Sequence, residues 1–335
     1  MRMDYSRAMD VLVICIPVFA VLGLGKVLAI KGKIKDEHCT FINWLVYTIS
    51  LPSLIFSEVA RQRFDTFLDP ALILMPLFGL VVVMLLSMAI AKLNGYKGCF
   101  AAAFVFGSFW PNVTYIGLPL CRNAFGSEGL AKAAIYNGFV IPFVILFGYL
   151  VIGFYGAGTG DVKIGTRIKN ALLNPILLSA VAGVLVAVTA EQFRAEDGAL
   201  NLPMPVIASV SLLGSFLKMI GVMGLPLALL SIGASLKWEQ TRTHLGALSW
   251  SVGCKLILLP LLTVLLILAL CPAASPAALG VAVIMAGAPN AVAMYVISCQ
   301  LGVERGFVSS MLVLSTVLSV VTIPIWVYIV KGLGG

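Results

Sequence analysis

The chain has 335 residues, of which 61% are hydrophobic and only 11% charged, against about 25% charged in an average soluble domain. A soluble protein so poor in charge could not cover its surface, so an ordinary cytosolic enzyme, a disordered chain and a secreted disulfide scaffold are excluded, and a polytopic membrane protein remains. The net charge of +8 comes from short basic clusters such as Lys31, Lys33 and Lys35; these orient helices, and no basic face is long enough to track a phosphate backbone, so nucleic acid is not an expected partner.

At about 20 apolar residues per crossing, the length accommodates roughly ten membrane helices. Hydropathy places them, in chain order, at 10–30, 40–59, 70–92, 99–121, 130–153, 171–190, 206–236, 244–270, 277–299 and 307–331. The first follows Arg2 and Arg7 and ends in Lys31-Gly32-Lys33 without a small-residue cleavage site, so it reads as a membrane helix and not a signal peptide. The second carries Leu51-Pro52 between Ser50 and Ser53, and ends at Glu58 near Arg61, a solvated interfacial pair by preference. The fourth holds Pro111-Asn112 and the fifth Asn137. The longest polar connection, 154–170, is rich in glycine and basic residues and is the natural seam between a first half, 1–153, and a second half, 171–335. In the second half Lys218 lies early in its segment, where snorkelling is favoured. Lys255 lies inside the eighth segment, where an anion's charge partner and a snorkelling side chain are equal contenders. Pro289-Asn290 interrupts the ninth segment. The seven cysteines contain no C-x-x-C pair and indicate neither a disulfide framework nor a zinc site.

Pro-Asn occurs only twice, near the middle of the fourth segment of each half. Leu51-Pro52 and Leu225-Pro226 match in the second segments, and Ile141-Pro142 and Ile323-Pro324 in the fifth. This ordered set points to a duplication. Five helices per half is an odd number, so the second half enters the membrane in the opposite sense, giving inverted repeats. Odd-numbered connections carry twelve basic residues against eight in the even-numbered connections and termini. That bias favours odd connections inside and both termini on the non-cytoplasmic side.

Proline inside a helix removes a donor and clashes with the carbonyl four residues back. Pro111 and Pro289 each have a nearby glycine, so both helices are expected to break near the bilayer centre. Asparagine suits the residue that restarts a helix, because its side-chain oxygen accepts a first-turn N–H. Asn112 and Asn290 would then cap two half-helices whose positive ends meet at the midplane, an anion site without a full buried charge. Their amides add donors for a carboxylate, or oxygens for a cation. Asn137 could face the same cavity or serve as an interhelical hydrogen bond. Ser53 is a candidate lining residue, with bonding to its own backbone the plainer role. No H-E-x-x-H, G-x-S-x-G or Walker A sequence occurs, so the chain is not expected to be an enzyme.

These residues also carry a resemblance. Ser50-Leu51-Pro52-Ser53-Leu54-Ile55-Phe56, Pro111-Asn112 with Gly117-Leu118-Pro119-Leu120, Asn174-Pro175, Leu225-Pro226-Leu227-Ala228-Leu229 with Ser231-Ile232-Gly233-Ala234-Ser235-Leu236, and Pro289-Asn290-Ala291 together resemble the auxin efflux carrier family over nearly the whole chain. The resemblance implies an all-α fold of ten helices in two inverted five-helix repeats, with broken, crossing helices 4 and 9 similar to those of bile-acid–sodium symporters. It implies a scaffold and a transport domain that moves like an elevator. Plant members export auxin and carry a long cytosolic segment at the seam; bacterial members are associated with malate, malonate and similar acids, and the short seam here resembles theirs. Asn137 falls where plant members place a substrate-facing polar residue.

The expected function is therefore secondary transport of a small organic anion, in the cell membrane and by preference a bacterial inner membrane. Asn112, Asn290, Asn137 and Ser53 would bind the substrate, and Pro111 and Pro289 would hold the backbone open. The alternatives are a sodium-coupled symporter of amphipathic anions, or a sensor or channel on the same fold. No cofactor or metal is expected, coupling to Na+ or a proton stays open, and so does a homodimer.

Overall fold

The computed structural model describes residues 5–61, 69–155, 173, 175–193, 204–236, 244–291, 294 and 303–333. The elements are α1 (Tyr5–Ile30), α2 (Asp36–Leu45), α3 (Leu51–Val59), α4 (Pro70–Leu93), α5 (Gly98–Phe109), α6 (Leu118–Phe154), α7 (Pro175–Glu191), α8 (Met204–Val222), α9 (Gly224–Ser235), α10 (Leu245–Gly253), α11 (Leu259–Leu270), α12 (Pro276–Gly287) and α13 (Arg305–Leu333). Among the described residues all regular structure is helical. Helices occupy part or all of each of the ten apolar segments. Seven are long and apolar enough to cross a membrane, whereas Gly98–Phe109, Val181–Ala190 and Pro276–Gly287 are shorter. Two of the short ones are the pieces before Pro111 and Pro289. A helix of 12 residues rises about 18 Å, short of the roughly 30 Å hydrocarbon core.

The chain bends where its sequence demands it. Within α6, Phe125 and Gly126 leave the helical region, Gly126 with φ +62°, a conformation that costs glycine least. This corner falls in the connection expected between the fourth and fifth segments. Among the described residues three five-residue π turns interrupt the helices, Val46–Ser50, Val113–Gly117 and Cys254–Leu258. Leu-Pro follows each directly, as Leu51-Pro52, Leu118-Pro119 and Leu259-Pro260. The N–H of each leucine reaches back to the first residue of the turn. Widening the turn moves the preceding carbonyls away from the proline ring, which would otherwise clash, and so keeps the helix continuous.

Two groups of helices pack internally. In the first, α7, α8 and α9 pack on α3, and α1 and α2 pack on α9; in the second, α4, α5, α10, α11, α12 and α13 pack among themselves, with α6 running between the groups and α13 also touching α1. The tightest contact is α1 on α9. A Cβ at Gly25 would lie 2.2 Å from the Leu230 carbonyl oxygen, and one at Gly233 only 1.8 Å from that of Leu22. The two backbones touch, as small residues permit in lipid, and Lys26 Nζ donates to the Leu236 carbonyl at the end of α9, at 2.5 Å. Outward-facing rows such as Leu74, Phe78 and Leu85 on α4 or Val317, Val321 and Ile325 on α13 are exposed, a surface suited to lipid and untenable in water. Gly233→Leu is expected to remove the monodisperse peak in fluorescence-detected size-exclusion chromatography. Gly23→Leu, where nothing lies within 4 Å, should retain it.

Candidate functional site

The site begins where α5 ends. Phe104 through Phe109 are all buried, and after Phe109 the backbone becomes extended at Trp110. Pro111 has no N–H to offer, and the Asn112 N–H donates to the Pro289 carbonyl at 2.7 Å. From the other side α12 stops at Gly287 and Ala288 turns extended. Pro111 and Asn290 then form an isolated antiparallel bridge. The ends of α5 and α12 thus meet through their main chains in the interior.

The asparagines use their amides differently. Asn112 Oδ1 accepts the Tyr115 N–H at 3.2 Å and so caps the turn that restarts the helix. Its Nδ2 is buried and has no hydrogen-bond partner among the described residues. Asn290 Nδ2 donates to the Gly107 carbonyl at the end of α5, at 2.6 Å, while its N–H donates to Ser315 Oγ at 3.0 Å. Asn290 Oδ1 is the atom left without a partner among the described residues. The helix Asn290 would cap lies almost wholly outside the described residues. The crossing therefore holds one open donor and one open acceptor, at residues 2% and 0% exposed. An unmatched buried polar group costs about 1–3 kcal/mol, and such groups call for a functional account.

Asn137 joins this arrangement at one remove, its Nδ2 donating to Thr114 Oγ1 at 3.1 Å, two residues beyond Asn112. Lys255 sits in the π turn Cys254–Leu258, fully buried, and its Nζ donates to the Ala286 carbonyl in the last turn of α12. It does not snorkel. The ammonium lies at the negative end of the α12 dipole, four residues before Asn290 in sequence, and no carboxylate among the described residues pairs with it. Ser53 is not drawn in by any hydrogen bond among the described residues. It is half-buried and donates to the Ile49 carbonyl of its own helix at 2.8 Å. Lys218 is half-buried on α8, and the Glu58 side chain and the glycine-rich stretch at 156–160 lie outside the described residues.

Sequence reasoning missed Ser315, Thr114, and the pair Ser108 and Ser251, whose hydroxyls lie 3.1 Å apart and both meet the Phe104 carbonyl. A signal existed for the first: Ser315 and Ser319 are four apart in an apolar run, which puts both on one helix face, and both are fully buried. The turn Val113–Gly117 also packs against α9, so the crossing borders the contact between the two helix groups.

An all-helical bundle with an apolar exterior and seven helices long enough to cross a membrane among its described residues is that of a multi-pass membrane protein. The family model described as "Membrane transport protein" matches residues 10–158 and 162–327, and the chain belongs to that family, that of the auxin efflux carriers. It is 26% identical over 314 residues to an uncharacterized transporter of Methanothermobacter thermautotrophicus, covering 92% of this chain and 95% of that one. It is 24% identical over 334 residues to a Rhizobium meliloti protein named "Putative malonate transporter", covering 95% of each.

Proposed function

We propose that the chain is a secondary transporter of a small organic anion, a mono- or dicarboxylate of the malonate or malate kind or an auxin-like acid, bound at the crossing. The observation that carries this reading is the open, buried Asn112 Nδ2 beside the two main-chain breaks, with the Lys255 ammonium at the end of α12. The relative named for malonate supports the substrate class. In this reading the Asn112 amide and the first-turn N–H groups beyond it bind one carboxylate, and Lys255 offsets its charge. Asn137 and Ser53 line the pocket, and Pro111 and Pro289 keep backbone groups free.

The fold of this proposal is ten membrane helices in two inverted five-helix repeats, 1–153 and 171–335, in a bacterial inner membrane with both termini non-cytoplasmic. The group α1–α3 with α7–α9 acts as a scaffold, and the second group carries the crossing past it in an elevator movement. The close glycine contacts of the first group support its role as the rigid part.

Asn290 Oδ1, an open acceptor, favours a second reading in which Na+ binds with the anion. A thermal-shift series on purified protein with malonate, malate and indole-3-acetate, each with Na+ and with choline, separates these readings. A ligand at 100 times its Kd stabilises the native state by about 2.7 kcal/mol. Stabilisation by a carboxylate in choline supports the first reading, and stabilisation only in Na+ supports the second. Absence of both, with no counterflow of labelled acid in proteoliposomes, overturns the assignment.

A further inference from the structure

A cavity of about 600 Å3 opens at the end of the bundle where α4 and α12 begin, lined in part by Asp69, Glu128, Lys132, Cys271, Ala274 and Ser275. Its rim and its floor differ in charge. The Glu128 side chain is 58% exposed and that of Lys132 only 7%. Both are on α6, one turn apart, with their charged atoms 3.9 Å from each other, beyond hydrogen-bond reach. Asp69 is already engaged, accepting the Ala71 N–H at 3.0 Å as the cap of α4. Ser275 Oγ accepts the Ala278 N–H at 3.1 Å as the cap of α12. Among the described residues nothing accepts a hydrogen bond from Lys132 Nζ. The deep charge is therefore an ammonium with unused donors, while Glu128 stands at the rim and Asp69 turns one of its oxygens to the start of α4.

The same face of α6 leads inward. Glu128, Lys132 and Tyr136 stand four residues apart in a row, about 12 Å long at 1.5 Å per residue. Tyr136 is fully buried, and its hydroxyl has no partner among the described residues. The next residue is Asn137, bonded to Thr114 at the crossing. The geometry points to a second anion site, an outer station where a small carboxylate docks on Lys132 before it reaches the crossing. The station rests on the transport reading for its purpose, but its chemistry stands on the cavity alone.

Cys271 lines the cavity and is partly accessible, and the exposed Cys99 provides a reference thiol on the same chain. Alkylation of both by N-ethylmaleimide is followed by peptide mass spectrometry in the purified full-length protein, with malonate as the probe. Malonate should slow labelling of Cys271 and not of Cys99, and sodium chloride at equal ionic strength should slow neither. Lys132→Gln should raise the half-protecting concentration about tenfold or more, the loss expected for a hydrogen bond to a charged group. Lys132→Arg should keep the protection, and Asn112→Ser, at the crossing, should leave it unchanged. Absence of protection in the wild type, or equal protection in Lys132→Gln, overturns the station. Protection without malonate flux overturns the transport reading alone, and flux without protection overturns the station alone.

Discussion

Asn112→Ser is expected to leave the protein folded and to cut carboxylate affinity at the crossing at least tenfold. Serine supplies an N-cap oxygen about as good as that of asparagine, so the Tyr115 N–H keeps its acceptor. What disappears is Nδ2, the donor that no described residue uses. A hydrogen bond to a charged group contributes about 1.5–3 kcal/mol, which corresponds to a loss between about tenfold and a hundredfold. Asn290→Ala is the contrasting variant. It also strips the Gly107 carbonyl of its donor, so it should lower thermal stability by about 1–3 kcal/mol as well as flux. Titration calorimetry with malonate, beside thermal unfolding, distinguishes the two profiles. Unchanged malonate affinity in Asn112→Ser would remove Nδ2 from the binding site.

Lys255→Met should also separate stability from activity. The ammonium is fully buried with a carbonyl as its partner. Removing a buried charge relieves several kcal/mol of desolvation, which offsets the roughly 1–3 kcal/mol for leaving the Ala286 carbonyl unmet. The unfolding temperature should therefore stay near that of the wild type or rise. Flux should fall by more than tenfold, because attraction between unit charges a few ångströms apart at an effective dielectric of about 20 amounts to a few kcal/mol. Lys255→Glu sets an unpaired carboxylate against the negative end of α12 and should yield no monodisperse protein. A Lys255→Met variant that unfolds early but transports normally would reassign the lysine to a purely structural role.

Much of the architecture was legible because lipid punishes exceptions. Apolar run length located the helices, and Pro111 and Pro289, the costliest residues for a helix interior, located both breaks. The corner at Phe125-Gly126 sits in the connection that hydropathy left between two segments. What could not be read depends on partners distant in sequence. Asparagine at either break looks alike as a string of letters. Only the meeting of the two segments shows that Asn290 spends its amide on Gly107 while Asn112 keeps its own open. Lys255 was balanced between interface and interior because a four-carbon stem reaches either; the π turn Cys254–Leu258 that holds it accompanies its inward course. The π turns were only partly readable: Leu-Pro follows each of them, but Leu225-Pro226 opens a helix without one. Ser53 illustrates the opposite case: a hydroxyl four residues from a carbonyl on its own helix has a partner at hand wherever the helix lies.

The bridge between the two breaks also constrains biosynthesis. The Asn112 N–H is satisfied by the Pro289 carbonyl, yet the ribosome makes Pro289 about half a chain later. While the first half waits in the bilayer, that amide faces hydrocarbon or water, and an unmatched amide in hydrocarbon costs several kcal/mol. Until residue 289 is in place, the Asn112 N–H lacks the acceptor it has in the folded chain. Separately expressed halves should consequently rescue one another in the same membrane, whereas the first half alone should be cleared by proteases.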